Sequence, residues 1–171
     1  MSATPATTII SHWNHRANQI QLSPNEFYRV VEERLAKEGL EKVKTTRVNM
    51  SEGGIFSSKR EYLQVRRGDH IFHICAAPFG QGFFVSWWLG SVEKGFWAWM
   101  AKIPLIGRLF TGLFKPLTYY RVDSALMFQS VTHAAITEAL DSLLSQKGLK
   151  ALSEGDRKPI MRDFFTGVSS A

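Results

Sequence analysis

The chain has 171 residues with a net charge of +6, 44% hydrophobic and 21% charged residues, a composition that excludes collagen, low-complexity disorder and a polytopic membrane protein. At this length a single core removes about two-thirds of the unfolded chain's surface from water, so neither disulfides nor a metal is needed to hold a fold together. The single cysteine, Cys75, excludes an intrachain disulfide and points to a reducing, cytoplasmic setting. The opening residues lack a basic stretch followed by an apolar one, so no secretory signal is expected.

Residues 1–22 show no strong period and begin with small and polar side chains, which predicts a flexible N-terminal segment. Helix signals follow at once. Ser23-Pro24-Asn25-Glu26 offers an N-cap serine, a proline at the first helical position and a glutamate placed to complete a capping box. Phe27, Val30, Val31 and Leu35 then repeat at helical spacing, and Gly39 supplies a stop, so a helix is predicted over 24–38.

Four strand-like runs come next, Val43–Met50, Lys59–Arg67, His70–Ala77 and Gly82–Leu89, separated by turns at Ser51–Gly54, Gly68–Asp69 and Pro78–Gly82. Connections this short cannot carry a parallel crossover, so the strands form an antiparallel meander. A short fifth strand is expected at Leu117–Val122. A long helix is predicted over 123–147, capped by Asp123 or Ser124, with Val131, Ala135, Ala139 and Leu143 down one face and Gly148 as its stop. Residues 149–171 contain Pro159 and mixed charge, which predicts a partly ordered tail with Phe164-Phe165 docked.

The resulting fold class is α+β. A four- or five-stranded antiparallel sheet and two flanking helices form a two-layer sandwich, one domain over 23–148 with an aromatic amphipathic insert at 91–116. With Leu63 and Val65 turned to the helices, Arg60, Tyr62, Gln64 and Arg66 point to the other sheet face. His73 with Cys75, and Trp88, are further candidates for that face. Arg60, Tyr62, Arg66, His73 and Trp88 are therefore the candidate binding residues of the sheet.

Charge and aromatics are both concentrated. Six of the 12 Phe and four of the five Trp lie between Phe79 and Phe114, and residues 91–122 carry five basic groups against one acidic. On a helical projection Phe96, Trp99, Met100, Ile103, Ile106, Leu109, Phe110, Leu113 and Phe114 fill one half of the wheel, and Lys94, Lys102, Arg108, Thr111 and Lys115 the other, with Trp97 and Leu105 as exceptions and Pro104 a break. Apolar rings on one side and cations on the other suit a helix lying in a membrane interface. The same pattern suits an amphipathic hairpin folded back on the open sheet face.

Chemistry-bearing constellations are weak. His12 and His15 would share a face only if their segment were helical, and they lack a third ligand; His70 and His73 fall on opposite faces of a strand. Cys75 in mid-strand reads as a buried thiol. Gly-x-Ser-x-Gly, His-Glu-x-x-His and Walker patterns are absent from the sequence, so no catalytic residue, metal or cofactor is assigned and a noncatalytic protein is expected. Arg60, Tyr62, Gln64 and Arg66 could stack and pair with single-stranded RNA, yet no RNP-like aromatic pattern accompanies them, which argues against nucleic acid.

The sequence thus predicts a binding module. Its insert meets an anionic membrane surface or an apolar protein partner, with Phe96, Trp97, Trp99, Phe110 and Phe114 inserting and Lys94, Lys102, Arg108 and Lys115 meeting headgroups. That places the chain in the cytoplasm, peripheral on the inner face of the membrane. The alternatives are a small-ligand or enzymatic pocket between sheet and long helix, lined by Trp87 or Trp88, and a homo-oligomer that covers the open sheet face.

Overall fold

The computed structural model describes residues 7–51, 59–92 and 119–161. The contacts expected of Lys94, Phe96, Trp97, Trp99, Lys102, Arg108, Phe110, Phe114 and Lys115, and the docking of Phe164-Phe165, lie outside the described residues. The elements run β1 (Thr7–Ala17), α1 (Pro24–Lys37), β2 (Val43–Ser51), β3 (Lys59–Arg67), β4 (His70–Phe79), β5 (Gly82–Val92), α2 (Tyr119–Gln146) and β6 (Ile160–Met161). The strands form one antiparallel sheet in the order β2-β3-β4-β5-β1-β6, and both helices contribute to the core on one side of it.

The meander from β2 to β5 follows from its turns. Gly68, at φ +59°, takes the left-handed conformation that a two-residue connection between Arg67 and His70 demands. The next turn is also two residues, Gly80 and Gln81, so Pro78 and Phe79 belong to β4 and pair with Phe83 and Gly82. Gly82 is required for a different reason: a Cβ there would stand 2.6 Å from the backbone oxygen of Ala17 on the neighbouring strand.

Three expectations are corrected. The predicted loose N-terminus contains an 11-residue strand, β1, seated between β5 and β6. Its inward positions are Ser11, Trp13, His15 and Ala17, so no apolar alternation announces it. It is held by a distant partner, β5, in a register of Trp13 against Trp87 with an irregularity between Ile9 and Ser11. The predicted fifth strand is also replaced, because Tyr119 to Val122 form the first turn of α2. Strand propensity in four residues is worth a few tenths of a kcal/mol each, and extending an existing helix adds a hydrogen bond per residue. Finally, Ser23 is the N-cap of α1 but its side chain makes no capping hydrogen bond, so the expected capping box is not formed. Its carbonyl accepts from the Phe27 N–H at 3.0 Å.

The apolar core lies on the helical face of the sheet, although Ile71, Cys75 and Ser86 of the other face are buried as well. Leu63 and Val65 of β3, Phe72, Ile74 and Ala76 of β4, and Phe83, Val85, Trp87 and Leu89 of β5 are buried with the helices. From α1 come Phe27, Tyr28, Val31 and Leu35; from α2 come Phe128, Ala135, Ile136, Ala139, Leu140, Leu143 and Leu144. Phe72 is the pivot of the aromatic packing, edge-on to Trp87 at 5.1 Å and to Phe128 at 5.2 Å between centroids.

Tyr28 does more than fill space. The β3–β4 ladder runs from Arg67–His70 to Tyr62–Cys75 and stops. One step further the backbones of Glu61 and Ala76 would meet directly. Instead the Tyr28 hydroxyl stands between them, donating to the Glu61 carbonyl at 2.9 Å and accepting from the Ala76 N–H at 2.8 Å. Arg47 of β2 lies over the ring, its guanidinium carbon 4.6 Å from the centroid, and bridges Glu32 of α1 and Glu61 of β3. Burial holds the phenol well above its ordinary pKa, against the Ala76 hydrogen bond, which lowers it. Tyr28→Phe is expected to leave both backbone groups without their partner and to lower stability by about 1–3 kcal/mol. Urea unfolding of the variant against the parent measures this, and an unchanged midpoint would show the bridge to be dispensable.

Candidate functional site

The sheet face turned away from the helices gathers every residue singled out for it. Pairing places Thr46, Gln64, His73, Trp88 and His12 opposite one another in succession across five strands, and Val48, Tyr62, Cys75, Ser86 and Asn14 in the adjoining row. Within the first row Gln64, His73, Trp88 and His12 form a continuous band of planar groups. Gln64 Nε2 lies 3.1 Å from His73 Nε2, and the His12 ring stacks on Trp88 with centroids 4.6 Å apart and planes 14° from parallel. Trp88 remains 41% exposed, so this band presents an indole edge to its surroundings.

Charge on this face has one sign. Arg16, Lys44, Arg60 and Arg66 occupy outward strand positions and are exposed, and among the described residues of these strands no carboxylate shares them. Arg16 also lies over the exposed Phe79 ring, at 5.9 Å. The carboxylates sit elsewhere: Glu61 turns the other way, to Arg47, and Asp141 pairs with Arg157. A cationic surface bearing rings attracts anions that carry apolar groups.

Cys75 sits within this face but is 1% exposed. Arg60 Nη1 lies 4.0 Å from its sulfur, and burial, outweighing that cation, pushes the thiol above its ordinary range. A protonated, covered sulfur is a poor nucleophile. His73 is likewise held below the ordinary imidazole range by burial. His12 and His15 lie on a strand, not a helix, and so face opposite sides: His12 meets Trp88, and His15 Nδ1 stands 3.5 Å from Asp156. Among the described residues there is no group of three or more potential metal ligands.

A second polar centre, unseen in the sequence, lies between the sheet and α2. His133 Nδ1 accepts from Trp87 Nε1 at 3.1 Å, and its Nε2 stands 2.6 Å from the Arg157 carbonyl oxygen. An indole can only donate and a carbonyl can only accept, so these two neighbours fix a neutral imidazole with its proton on Nε2. Trp87, named for a pocket between sheet and long helix, is fully buried and donates this bond, and Trp88 faces the opposite side of the sheet. The C-terminal segment is clasped at the same place: the Trp13 indole donates to the Asp156 carbonyl, Arg157 pairs with Asp141, and Asp141 accepts from the Leu152 N–H at 2.8 Å. Buried Ser11 donates to Gln129, whose amide reaches the Met161 sulfur.

Beside the clasp an open groove of about 360 Å³ is bordered by His15, Arg16, Leu144, Lys150, Leu152 and Asp156. Its one carboxylate is already engaged, accepting from the Ser153 hydroxyl and amide, which hold it below the usual carboxylate range. The same carboxylate faces His15 across the groove, Nδ1 to oxygen at 3.5 Å. No protein-family description matches the chain, and comparison with curated proteins and with solved structures returns no match.

The His133 geometry sets a pH dependence. Burial, the largest cause, lowers the imidazole pKa in the folded protein. The unfolded chain therefore takes up its proton first, near pH 6.5, and the contribution to stability is complete above that and lost as pH falls toward the folded value. Protonation also sets an N–H against the Trp87 N–H. In His133→Gln the loss of stability from pH 7 to 5 is expected to be shallower than in the parent, by up to about 1.4 kcal/mol per pH unit. Chemical denaturation at each pH measures it; equal slopes in the two proteins would remove His133 as the cause.

Proposed function

We propose that this chain is a noncatalytic binding module that associates with an anionic membrane surface through the insert at 91–115. The observation that carries the reading is the chemistry at the end of the fold from which the insert departs. β5 ends at Val92, whose N–H donates to the Asp69 carbonyl of the β3–β4 turn at 2.8 Å. α2 begins at Tyr119, and its Arg121 lies near enough to His70 to help lower that imidazole's pKa, behind burial as the main cause.

Both flanks of the insert therefore reach the same end of the sheet. Lys44, Arg66, Arg67 and Arg121 gather there, and Tyr119 and Tyr120 are 91% and 81% exposed. Met127 continues this apolar flank about two turns along α2 and is also exposed. Rings at headgroup depth beside cations are the composition of an interfacial contact. The one-signed outer sheet face extends the same positive potential. No helix among the described residues is long and apolar enough to cross a membrane.

The test is co-sedimentation with phosphatidylserine–phosphatidylcholine vesicles against phosphatidylcholine alone. Binding is expected only to the anionic vesicles, weakening as salt is raised, and lost in the double variant Trp97→Ser/Trp99→Ser. Each basic group near an anionic surface contributes about 1 kcal/mol, so Arg66→Gln/Arg67→Gln is expected to bind roughly 30-fold more weakly. Equal binding to neutral and anionic vesicles, or none to either, overturns the reading. So does tighter binding of single-stranded polyuridylate than of vesicles, which would give the sheet face to nucleic acid.

A further inference from the structure

Among the described residues the sheet has one long edge without a neighbour. β2 closes one side of the strand order with β3 as its sole partner among those residues, over nine pairs from Val43–Arg67 to Ser51–Lys59 without a shift in register. None of the side chains from Val43 to Met50 is buried. Every second residue of such a strand turns its backbone N–H and C=O outward, a template for another strand.

Of the devices that usually blunt an edge, β2 has only its two cations. β2 has no proline, no bulge and nine residues of length. Arg47 points inward but is occupied by Glu32, Glu61 and the Tyr28 ring, so Lys44 is the one cation of β2 left to guard the edge. At the opposite side of the sheet, by contrast, β1 is met by β6 at Ser11 and His12 and by the clasp of Trp13 on Asp156.

We propose that the β2 edge is a docking site for an extended acidic peptide of a partner protein, added antiparallel as a seventh strand. Charge decides the occupant. β2 carries Lys44 and Arg47 and no carboxylate, and across the outer face Arg66 pairs with Lys44 and Arg60 with Met50. A second copy of β2 laid antiparallel over its full length would set Lys44 beside Met50 and bring no acid to the outer-face cations Lys44, Arg60 and Arg66. An acidic strand meets the same edge with opposite charge.

The register of β2 also defines the peptide. Its outward-face positions are Met50, Val48, Thr46 and Lys44. A strand running the other way places two apolar residues beside Met50 and Val48, and a Glu or Asp beside Lys44. The recognition pattern is therefore apolar-x-apolar-x-x-x-acid, with backbone hydrogen bonds supplying attachment and these three side chains the selection.

The test uses the full chain and an N-acetylated, C-amidated nine-residue peptide of Thr and Ser with Ile second, Val fourth and Glu eighth. Amide hydrogen exchange is expected to slow at alternate residues of 43–51 on saturation. Lys44→Glu is expected to weaken binding about fivefold, at the scale of one cross-strand charge pair, and to favour the peptide with Lys at the eighth position. Because Lys44 is exposed, this variant leaves the core unchanged. A peptide N-methylated along its bonding edge is expected not to bind. Unchanged exchange across β2, equal binding of the N-methylated peptide, or β2 protection in the free protein that disappears on dilution would each overturn the proposal, the last by assigning the edge to a second copy. None of these readouts involves lipid, so the outcome is independent of vesicle binding.

Discussion

The Tyr28 hydroxyl is the point on which the two layers are registered. A phenol inserted between Glu61 and Ala76 satisfies one backbone group on each of two strands, so α1 is fixed to the sheet by directional bonds as well as by apolar burial. Those bonds require both strands to open at that step, and the ladder stops there. Arg47 then ties β2 into the same junction through the ring and through two carboxylates. Four elements meet at one side chain, which makes the helix angle and the strand register mutually dependent. Burial of apolar surface alone is non-directional and would leave α1 free to slide.

A second junction does the same for the C-terminal half. α2 contributes His133, Gln129 and Asp141, and each is matched by a group on the sheet or the returning chain: Trp87 and the Arg157 carbonyl, Ser11 and Met161, Arg157 and the Leu152 amide. Polar groups in a dry interior are costly unless paired, and once paired they select one arrangement. This is how a strand as polar as β1 can occupy an interior position. Its inward Ser11 and Trp13 side chains find their partners on α2 and on the C-terminal segment, far away in sequence.

The cations of the other sheet face have no carboxylate partner among the described residues of its strands. Arg16, Lys44, Arg60 and Arg66 stand exposed across it, while ion pairing is concentrated on the helical side, in Arg47 with Glu32 and Glu61, Arg34 with Glu138, and Arg157 with Asp141. The consequence is a molecule with sidedness. Its modest net charge is distributed so that one face and one end, where Tyr119 and Tyr120 emerge, carry a positive potential beside exposed rings.

The sequence by itself determined what depends on neighbours in the chain. Proline and helical spacing placed α1, turn residues spaced the meander, and period-two alternation put Arg60, Tyr62 and Arg66 opposite Leu63 and Val65, because backbone preference and side-chain direction are local properties. The placing of His73 and Trp88 beside them needed the pairing of β3, β4 and β5. Only the tertiary structure decided β1, since Ser11 and His15 are inward for the sake of Gln129 and Asp156, and no local signal encodes partners more than a hundred residues away. It also decided that Tyr119 to Val122 join α2, and that the His133 imidazole takes its proton on Nε2, because a tautomer is set by the donor and acceptor that the fold brings to either side of the ring.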